Sequence, residues 1–283
     1  MAKCTFILTE KLIRRYLAYL QEEERAPSTI QKYDHDLHLL YHYLNGMPLT
    51  KALLITWKER LAGQYAPASV NTILAAVNGF LSFMGWRELM VKPLKIQKSF
   101  FYDEKRELTR AEYTRLVNAA KKSGKQRLFL ILQTICATGI RVSELKMITA
   151  EAVRSGRAEI VNKGKRRLVF LSVKLCKILR KYLQVQKITS GSIFVTRSGR
   201  PVDRSNIWRE MKALCGIAGV KPGKVFPHNL RHLFARTYYT LEKDLSRLAD
   251  ILGHASIDTT RIYTAESGFV HAKQLERMDL LIT

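Results

Sequence analysis

The sequence predicts a mainly α fold with a small β-sheet, in which an N-terminal helical bundle precedes an α+β domain. Apolar residues recur at the spacing of one helix face along most of the chain. Two short strand-like runs flank a Lys-Gly-Lys turn at 163–165. The segment 91–106 has no helical period and contains Pro93 and four lysines. We therefore predict domains at 1–95 and 107–283, joined by a linker at 96–106.

The first domain is predicted to be all helical, because each apolar stripe is bounded by a capping or breaking residue. Threonine or proline opens each helix, and a Gly-Met-Pro sequence ends the second. The apolar stripes are expected to form the core of the bundle, and nothing in this half has a catalytic pattern. The predicted helices run from Thr9 to about Glu23, from Pro27 to before Gly46, from Thr50 to about Leu61 and from Pro67 to Phe83.

The second domain is predicted to be mixed but mostly helical. Thr109 and Glu112 have the spacing of a capping box, which opens a helix. Gly139 ends a strongly apolar helix, and the turn at 163–165 joins a hairpin. The predicted strands are Arg157–Val161 and Arg166–Leu171, and the main predicted helices are Arg127–Thr138, Val173–Gln184, Arg204–Ala218, Asn229–Leu241 and Leu245–Leu252.

The net charge is the most unusual feature of the composition. Lys and Arg number 48 against 24 Asp and Glu, which gives +24, and residues after position 100 contribute +19 of this surplus. So large a surplus favours a polyanionic partner, with nucleic acid ahead of an anionic membrane surface. The apolar stretches are too short to span a bilayer. Four cysteines without a CxxC pair indicate reduced thiols in a cytoplasmic protein and no zinc knuckle.

Four motifs in the second domain share one kind of chemistry. Phosphodiester exchange without a metal needs a nucleophile that holds the phosphate, cations around its nonbridging oxygens and an acid for the leaving oxygen. Arginine suits the second role because its guanidinium is planar, charged and bidentate. No acidic cluster suited to two magnesium ions accompanies these motifs. They are Thr138-Gly-Ile-Arg-Val-Ser-Glu-Leu145, Asn162-Lys-Gly-Lys-Arg-Arg-Leu168, Pro227-His-Asn-Leu-Arg-His232 and Leu252-Gly-His-Ala-Ser-Ile-Asp-Thr-Thr-Arg-Ile-Tyr-Thr264.

In order and spacing, these motifs resemble the tyrosine recombinase (phage integrase) family over nearly the whole chain. The family pattern is Arg, Lys on a β-turn, His-x-x-Arg, His or Trp, and Tyr. The Leu-Gly-His…Tyr-Thr motif, in which Tyr263 follows His254 by nine positions, is typical of Xer-type members. The resemblance implies a SAM-like core-binding bundle followed by a tyrosine-recombinase catalytic domain. The pattern maps onto Arg141, Lys163, His228, Arg231, His254 and Tyr263.

The resemblance also implies a role for each of these residues. Tyr263 attacks the scissile phosphate and forms a 3′-phosphotyrosyl link, which leaves a 5′-hydroxyl. Arg141 and Arg231 clamp the nonbridging oxygens. His228 helps the nucleophile lose its proton, and His254 donates a hydrogen bond to the phosphate. The family reaction implies no metal, no ATP and no other cofactor.

Three further assignments concern the residues around the turn and the first arginine. Lys163 is favoured as the general acid, with Lys165 as the alternative, because a hairpin turn could present either. Glu144 follows Arg141 by three and is given a supporting role, since a carboxylate at this place in the family orients active-site groups. Lys165, Arg166 and Arg167 are expected to lie along the DNA backbone and to bind it in a salt-dependent way.

The predicted function is a site-specific recombinase that cuts and rejoins duplex DNA through a Holliday junction. Two alternatives remain: a type IB topoisomerase-like DNA-relaxing enzyme, and a non-catalytic DNA-binding regulator on the same scaffold. The expected partners are double-stranded DNA with specific recombination sites and further protomers, in a homo-tetramer or paired hetero-tetramer on DNA. A tail from about residue 266 is expected to dock on a neighbouring protomer, with docking in cis as the alternative.

The expected setting is the cytoplasm, in association with the nucleoid. The helical pattern begins close to Met1, so we expect no arm-binding domain of the kind that lambda-type integrases carry. Integration and excision on one side, and chromosome or plasmid dimer resolution on the other, are both open as biological roles.

Overall fold

The chain divides into two compact units, Met1–Lys98 and Ser99–Thr283. The structure, a computed structural model, describes residues 6–96, 106–162, 164–254, 256–263 and 277, with the side chains of Asn162 and Lys165 excepted. Each unit has its own hydrophobic core. The predicted domain limits at 95 and 107 stay a prediction.

Unit 1 is a helical bundle around a core of leucines and aromatic side chains. Thr9 and Thr50 cap the first and third helices through their side-chain oxygens. Pro27 and Pro67 occupy the first position of the second and fourth helices, where a missing N–H costs nothing. The helices are α1 (Glu10–Glu22), α2 (Pro27–Leu44), α3 (Lys51–Gln64) and α4 (Pro67–Phe83).

The extended segment after α4 is attached to the bundle. The Asn78 side chain exchanges two hydrogen bonds with the backbone of Val91, at 2.8 and 3.1 Å. Asn71 does the same with the backbone of Leu94, at 2.9 and 2.7 Å. Val91 is buried, although the lack of a helical period in residues 91–106 favours an exposed segment. Residues 91–94 therefore belong to unit 1.

Unit 2 is mostly helical. Its central contact packs the helix Pro227–Glu242 (α11) against the helix Gln126–Thr138 (α6). The capping box of Thr109 and Glu112 opens α5 as predicted, and Gly139 ends α6 with a left-handed backbone. The helices are α5 (Arg110–Lys122), α6 (Gln126–Thr138), α7 (Ala150–Ser155), α8 (Val173–Gln186), α9 (Arg204–Lys212), α10 (Cys215–Ala218), α11 (Pro227–Glu242), α12 (Leu245–Leu252) and α13 (Asp258–Arg261).

Two strands of unit 2, β1 (Arg157–Asn162) and β2 (Lys165–Phe170), form an antiparallel hairpin. The backbones of Asn162 and Lys165 are the last paired positions of the hairpin. Between them Gly164 has φ +75°, a left-handed conformation that glycine adopts without strain. Lys163 itself lies outside the described residues.

The predicted fold class, mainly α with a small β-sheet, is confirmed. The predicted helix Arg204–Ala218 is wrong in one respect, because the chain leaves α9 after Lys212 and resumes at Cys215. Two single-turn elements, α7 and α13, have no counterpart in the prediction, since they are too short to show an apolar period. Among the helices of the described ranges, none has the length and apolarity needed to cross a bilayer.

The contact between α1 and α4 gives a testable prediction about unit 1. A Cβ on Gly79 would lie 2.5 Å from the buried Tyr16 hydroxyl oxygen and 3.7 Å from the next ring carbon. Gly79→Ala is therefore expected to destabilise unit 1 by about 1–3 kcal/mol, as overpacking does. Hydrogen-exchange protection of α1 and α4 in the full chain measures the change.

The Tyr16→Phe background is the control, because it removes the clashing oxygen and leaves the ring in place. There, Gly79→Ala is expected to be neutral or stabilising, by up to about 1 kcal/mol from helix propensity. If Gly79→Ala lowered the stability of unit 1 equally in both backgrounds, the Tyr16 hydroxyl would not be the cause of the clash.

Candidate active site

Arg141, His228 and Arg231 line one cavity of about 540 Å³ in unit 2. His228 and Arg231 stand one turn apart at the start of α11, because Pro227 sets the first helical position. Arg141 follows the glycine that ends α6. The remaining lining residues are Ile140, Val142, Ser143, Arg204, Trp208, Phe226 and Pro227.

Arg231 is almost completely buried, at 1% exposure. Its Nη1 donates to the carbonyl of Gly139 at 2.6 Å, and its Nη2 donates to the carbonyl of Leu252 at 2.7 Å. Burial and the charge of Arg141 lower its pKa to about 10, so it stays charged at neutral pH. A buried charge needs such partners, because desolvation is otherwise costly.

Glu144 holds Arg141 through both its side chain and its backbone. Its Oε1 accepts from Arg141 Nη1 at 3.0 Å, and its Oε2 accepts from the Arg141 backbone N–H at 2.8 Å. Burial raises the pKa of Glu144, but hydrogen bonds from Arg167 and Arg141 outweigh burial and lower it to about 2. Glu144 is therefore ionised at neutral pH.

Arg167 lies inside this cluster, whereas its neighbour Arg166 lies on the surface. The Arg167 guanidinium binds both oxygens of Glu144, at 3.1 and 2.6 Å. Its side chain is 13% exposed, against 76% for Arg166. The sequence suggests one shared role for the two arginines along the DNA backbone. The structure gives Arg167 a separate place beside Glu144.

His254 is neutral in this site. Its Nε2 lies 3.0 Å from Arg231 Nη2, and its Nδ1 lies 2.7 Å from the Thr260 hydroxyl oxygen. Arginine can only donate, so Nε2 accepts and Nδ1 carries the proton. Partial burial and the charges of Arg231 and Arg141 lower the His254 pKa to about 4.

Tyr263 is buried against two histidines. Its ring lies 5.0 Å from the His232 ring, edge to face, and 6.1 Å from the His254 ring, nearly parallel. Its hydroxyl lies near enough to Arg231 for the guanidinium charge to act on the Tyr263 pKa. Burial raises the Tyr263 pKa despite the opposing charge of Arg231, so the hydroxyl keeps its proton in the free site.

His228 lies at the exposed rim of the cavity, 4.4 Å from the ring of His232. Desolvation by its neighbours, followed by the charges of His232 and Arg231, lowers its pKa to about 4. It is therefore neutral at neutral pH and able to accept a proton.

His232 has a close neighbour in Glu107 and, through Glu107, a contact to Arg236, and no short sequence motif predicts either. His232 Nδ1 lies 3.1 Å from Glu107 Oε1, and Arg236 lies 3.2 Å from Glu107 Oε2. Burial raises the Glu107 pKa, but the His232 hydrogen bond and the Arg236 charge leave it below its usual value. The spacing of four between His228 and His232 was the one available signal, since it puts both on one face of α11.

The structure brings four of the predicted residues together around the buried guanidinium of Arg231: Arg141, His228, His254 and Tyr263. Lys163, the side chain of Lys165 and the tail from about 266 lie outside the described residues.

Residues 106–268 match the Phage integrase family, and residues 13–88 match its N-terminal SAM-like domain. The chain belongs to the phage integrase family. Among the similar relatives of this integrase-family chain is "Tyrosine recombinase XerD" of Xanthomonas campestris pv. campestris, 30% identical, with 90% of this chain and 87% of the relative covered. "Tyrosine recombinase XerA" of Pyrococcus furiosus is 28% identical, with 97% and 96% covered.

Solved structures agree with this family fold. The "Crystal structure of a lambda integrase tetramer bound to a Holliday junction" matches with a TM-score of 0.74 over 92% of this chain and 78% of that one. At 18% identity this likeness shows the fold alone. The predicted Xer-like membership, the SAM-like first domain and the enzyme class, a tyrosine-type site-specific recombinase, are confirmed.

The lowered pKa of His254 predicts a pH-dependent stability for unit 2. An unfolded histidine has a pKa of about 6.5, whereas that of His254 in the folded site is about 4. Between these values the unfolded chain binds more protons, so stability falls as the pH falls from about 6.5 to about 4. Protection factors of α11 and α12, measured across this range, are expected to decrease.

In His254→Asn this decrease is expected to be shallower, because one of the depressed histidines is gone. His35→Asn, at an exposed position of α2, serves as the matched control and is expected to leave the slope unchanged. Identical slopes in all three proteins would contradict the pKa assigned to His254.

Proposed function

We propose that this chain cuts and rejoins duplex DNA at specific sites, with Tyr263 as the nucleophile. The observation that carries the proposal is the position of Tyr263, whose ring lies against His254 beside the buried guanidinium of Arg231. A phosphate bound to Arg231 would lie beside the tyrosine oxygen, and effective catalysis requires such proximity. Arg141 lies on the same cavity.

In the proposed cleavage step, the Tyr263 oxygen forms a bond to phosphorus and the bond from phosphorus to the 5′-oxygen breaks. His228, neutral at neutral pH, takes the tyrosine proton. The leaving 5′-oxygen receives a proton from Lys163, or from Lys165 as the alternative. Rejoining is the reverse reaction, with a 5′-hydroxyl of the same or another strand attacking the phosphotyrosyl bond.

Arg141 and Arg231 are proposed to stabilise the charge that grows on the nonbridging oxygens in the transition state. Arg231 is pre-positioned, because two backbone carbonyls already fix its guanidinium. Glu144 orients Arg141 through the two bonds described above. Preorganised donors of this kind need no rearrangement during the reaction.

His254 has to change its proton arrangement to fulfil its proposed role. In the free site Nε2 accepts a hydrogen bond from Arg231, whereas donation to a phosphate requires a proton on Nε2. An incoming phosphate brings negative charge, which favours the protonated imidazole. We propose that His254 carries a proton on Nε2 when the phosphate is bound.

The proposed partners are duplex DNA and other copies of this chain. The surplus of +19 after residue 100 suits the phosphate backbone, where Arg166 and Lys165 are proposed contacts. A tetramer on two specific sites, homo-tetrameric or paired hetero-tetrameric, is proposed by analogy with the lambda integrase tetramer. The tail from about 266 would join neighbouring protomers, and the proposed setting is the nucleoid in the cytoplasm.

The proposed organisation keeps a core-binding domain at 1–95, a linker at 96–106 and a catalytic domain at 107–283. Two biological uses fit this proposal: integration and excision of a mobile element, and resolution of chromosome or plasmid dimers.

A covalent-capture experiment tests the function and finds the DNA site. The probe is a pool of nicked suicide duplexes with randomised arms, in which cleavage releases a short strand and prevents rejoining. Wild-type protein is expected to give an adduct, without added metal, that can be recovered and sequenced. Tyr263→Phe is expected to give none, because it lacks the attacking oxygen.

Tyr238→Phe, at a half-buried tyrosine of α11, is the matched control and is expected to form the adduct normally. An adduct that persists in Tyr263→Phe would overturn the nucleophile assignment. Relaxation of a supercoiled plasmid that lacks the selected site would favour the topoisomerase-like alternative. DNA binding by the wild-type chain without any adduct would favour the regulator.

A further inference from the structure

We propose that Arg167 is a positioning residue. By binding the Glu144 carboxylate, it orients the Arg141 guanidinium toward the scissile phosphate and leaves the positive charge of Arg141 available to that phosphate. This inference rests on the proposed function, because it takes Arg141 as a phosphate clamp. It assigns Arg167 a task in the reaction that its neighbour Arg166 does not share.

The first support is the geometry of the carboxylate. Each oxygen of Glu144 is shared between the two arginines: Oε1 accepts from Arg141 Nη1 and Arg167 Nη1, and Oε2 accepts from the Arg141 backbone and Arg167 Nη2. The pair with Arg167 is bidentate, which fixes the plane of the carboxylate. The orientation of Arg141 therefore depends on a carboxylate that Arg167 holds.

The second support is the local charge. Glu144 is buried and ionised, with an exposed fraction of only 2% for its side chain. Paired with Arg141 alone, it would cancel the charge that the phosphate needs. With Arg167 present, the side chains of Arg141, Arg167 and Glu144 carry one net positive charge. Of the two arginine side chains, that of Arg141 is the more exposed, at 33%, and it lines the cavity. Arg167 therefore leaves the charge of Arg141 available to the phosphate.

The third support is the packing of Arg167 against the turn before His254. A Cβ on Gly253 would lie 2.8 Å from Arg167 Nη1 and 2.9 Å from Arg167 Cδ. Gly253 also has φ +66°, which ends α12. Its missing side chain leaves the space that the Arg167 side chain fills. Arg167 is thus fixed on one side by Glu144 and on the other by the α12 terminus.

The fourth support is the strand that carries Arg167. Arg167 is paired in β2 with the fully buried Ile160 of β1. Adjacent strand residues point to opposite faces of a hairpin. The Arg166 side chain therefore lies on the other face, where it forms a surface ion pair with Glu159 at 3.4 Å. The two arginines therefore have the same chemistry and backbone but different surroundings.

The test compares Arg167→Gln with Arg166→Gln on the duplex selected by covalent capture. Single-turnover cleavage is measured at saturating protein, and DNA affinity is measured separately. Arg167→Gln is expected to cleave about 10- to 100-fold more slowly with little change in affinity, as small displacements of a catalytic group do. Arg166→Gln is expected instead to weaken DNA binding and to make that binding less steeply dependent on salt, because one phosphate contact is lost.

A second substrate separates positioning of Arg141 from a general structural effect. In this duplex a methyl group replaces one nonbridging oxygen of the scissile phosphate, so the neutral group no longer needs the charge of Arg141. Arg141→Ala is the reference and is expected to recover activity on it. On this duplex the cleavage rate of Arg167→Gln is expected to be within about threefold of the wild-type rate. A variant that only misplaces Arg141 loses nothing on a substrate that does not need Arg141.

An undiminished defect of Arg167→Gln on the methylphosphonate duplex, with Arg141→Ala recovered, would overturn the inference and leave the proposed function standing. Failure of Arg141→Ala to recover would overturn the clamp role of Arg141 and the inference with it. The two failures are therefore distinguishable.

A double variant keeps the test valid if Arg167→Gln folds poorly around an unpaired carboxylate. In Arg167→Gln/Glu144→Gln no buried charge competes for Arg141. Because the two residues act through one contact, their effects are expected to be non-additive, and the double variant should cleave no more slowly than Arg167→Gln. If the loss of cleavage rate in the double variant equals the product of the losses in the two single variants, the inference is overturned.

Discussion

The burial of one guanidinium group, that of Arg231, is the constraint on which the rest of the site depends. A charge removed from water requires compensation from its surroundings. Here the C-terminal carbonyls of two helices, at Gly139 and Leu252, supply it, and the negative ends of those helix dipoles point to the cation. The turns that follow these carbonyls carry Arg141 and His254. The need to compensate this buried charge thus also determines where the side chains proposed for catalysis stand.

The same concentration of positive charge explains the protonation states around it. Two arginines bind the Glu144 carboxylate, and His228 and His254 stay neutral because burial, together with the neighbouring positive charges, disfavours a further cation. The free site is therefore an incomplete electrostatic arrangement that a phosphate diester would complete. The positive field disfavours the charged form of the histidines and favours the charged form of the carboxylate, so it contributes to lowering the pKa of both kinds of group.

Local signals were sufficient for most elements, while contacts between distant residues were not predictable. Caps at Thr9 and Thr109 determined helix starts, because capping depends on neighbours within one turn. The family motif found the residues around Arg231 for the same reason, as each short motif is local. The place of Arg167 depends on which face of β2 meets Glu144, and the bracing of Val91 depends on an asparagine of α4. Neither relation has a local pattern.

The fit between Arg167 and Gly253 has a consequence for exchanging parts between recombinases. The two residues are far apart in sequence but complementary in volume, as a large side chain on the hairpin occupies the space left by a missing one at the end of α12. A transplanted hairpin brings only half of this matched pair. Chimeras built on this scaffold therefore need to take residues 167 and 253 from the same parent, even when the hairpin alone is the segment of interest.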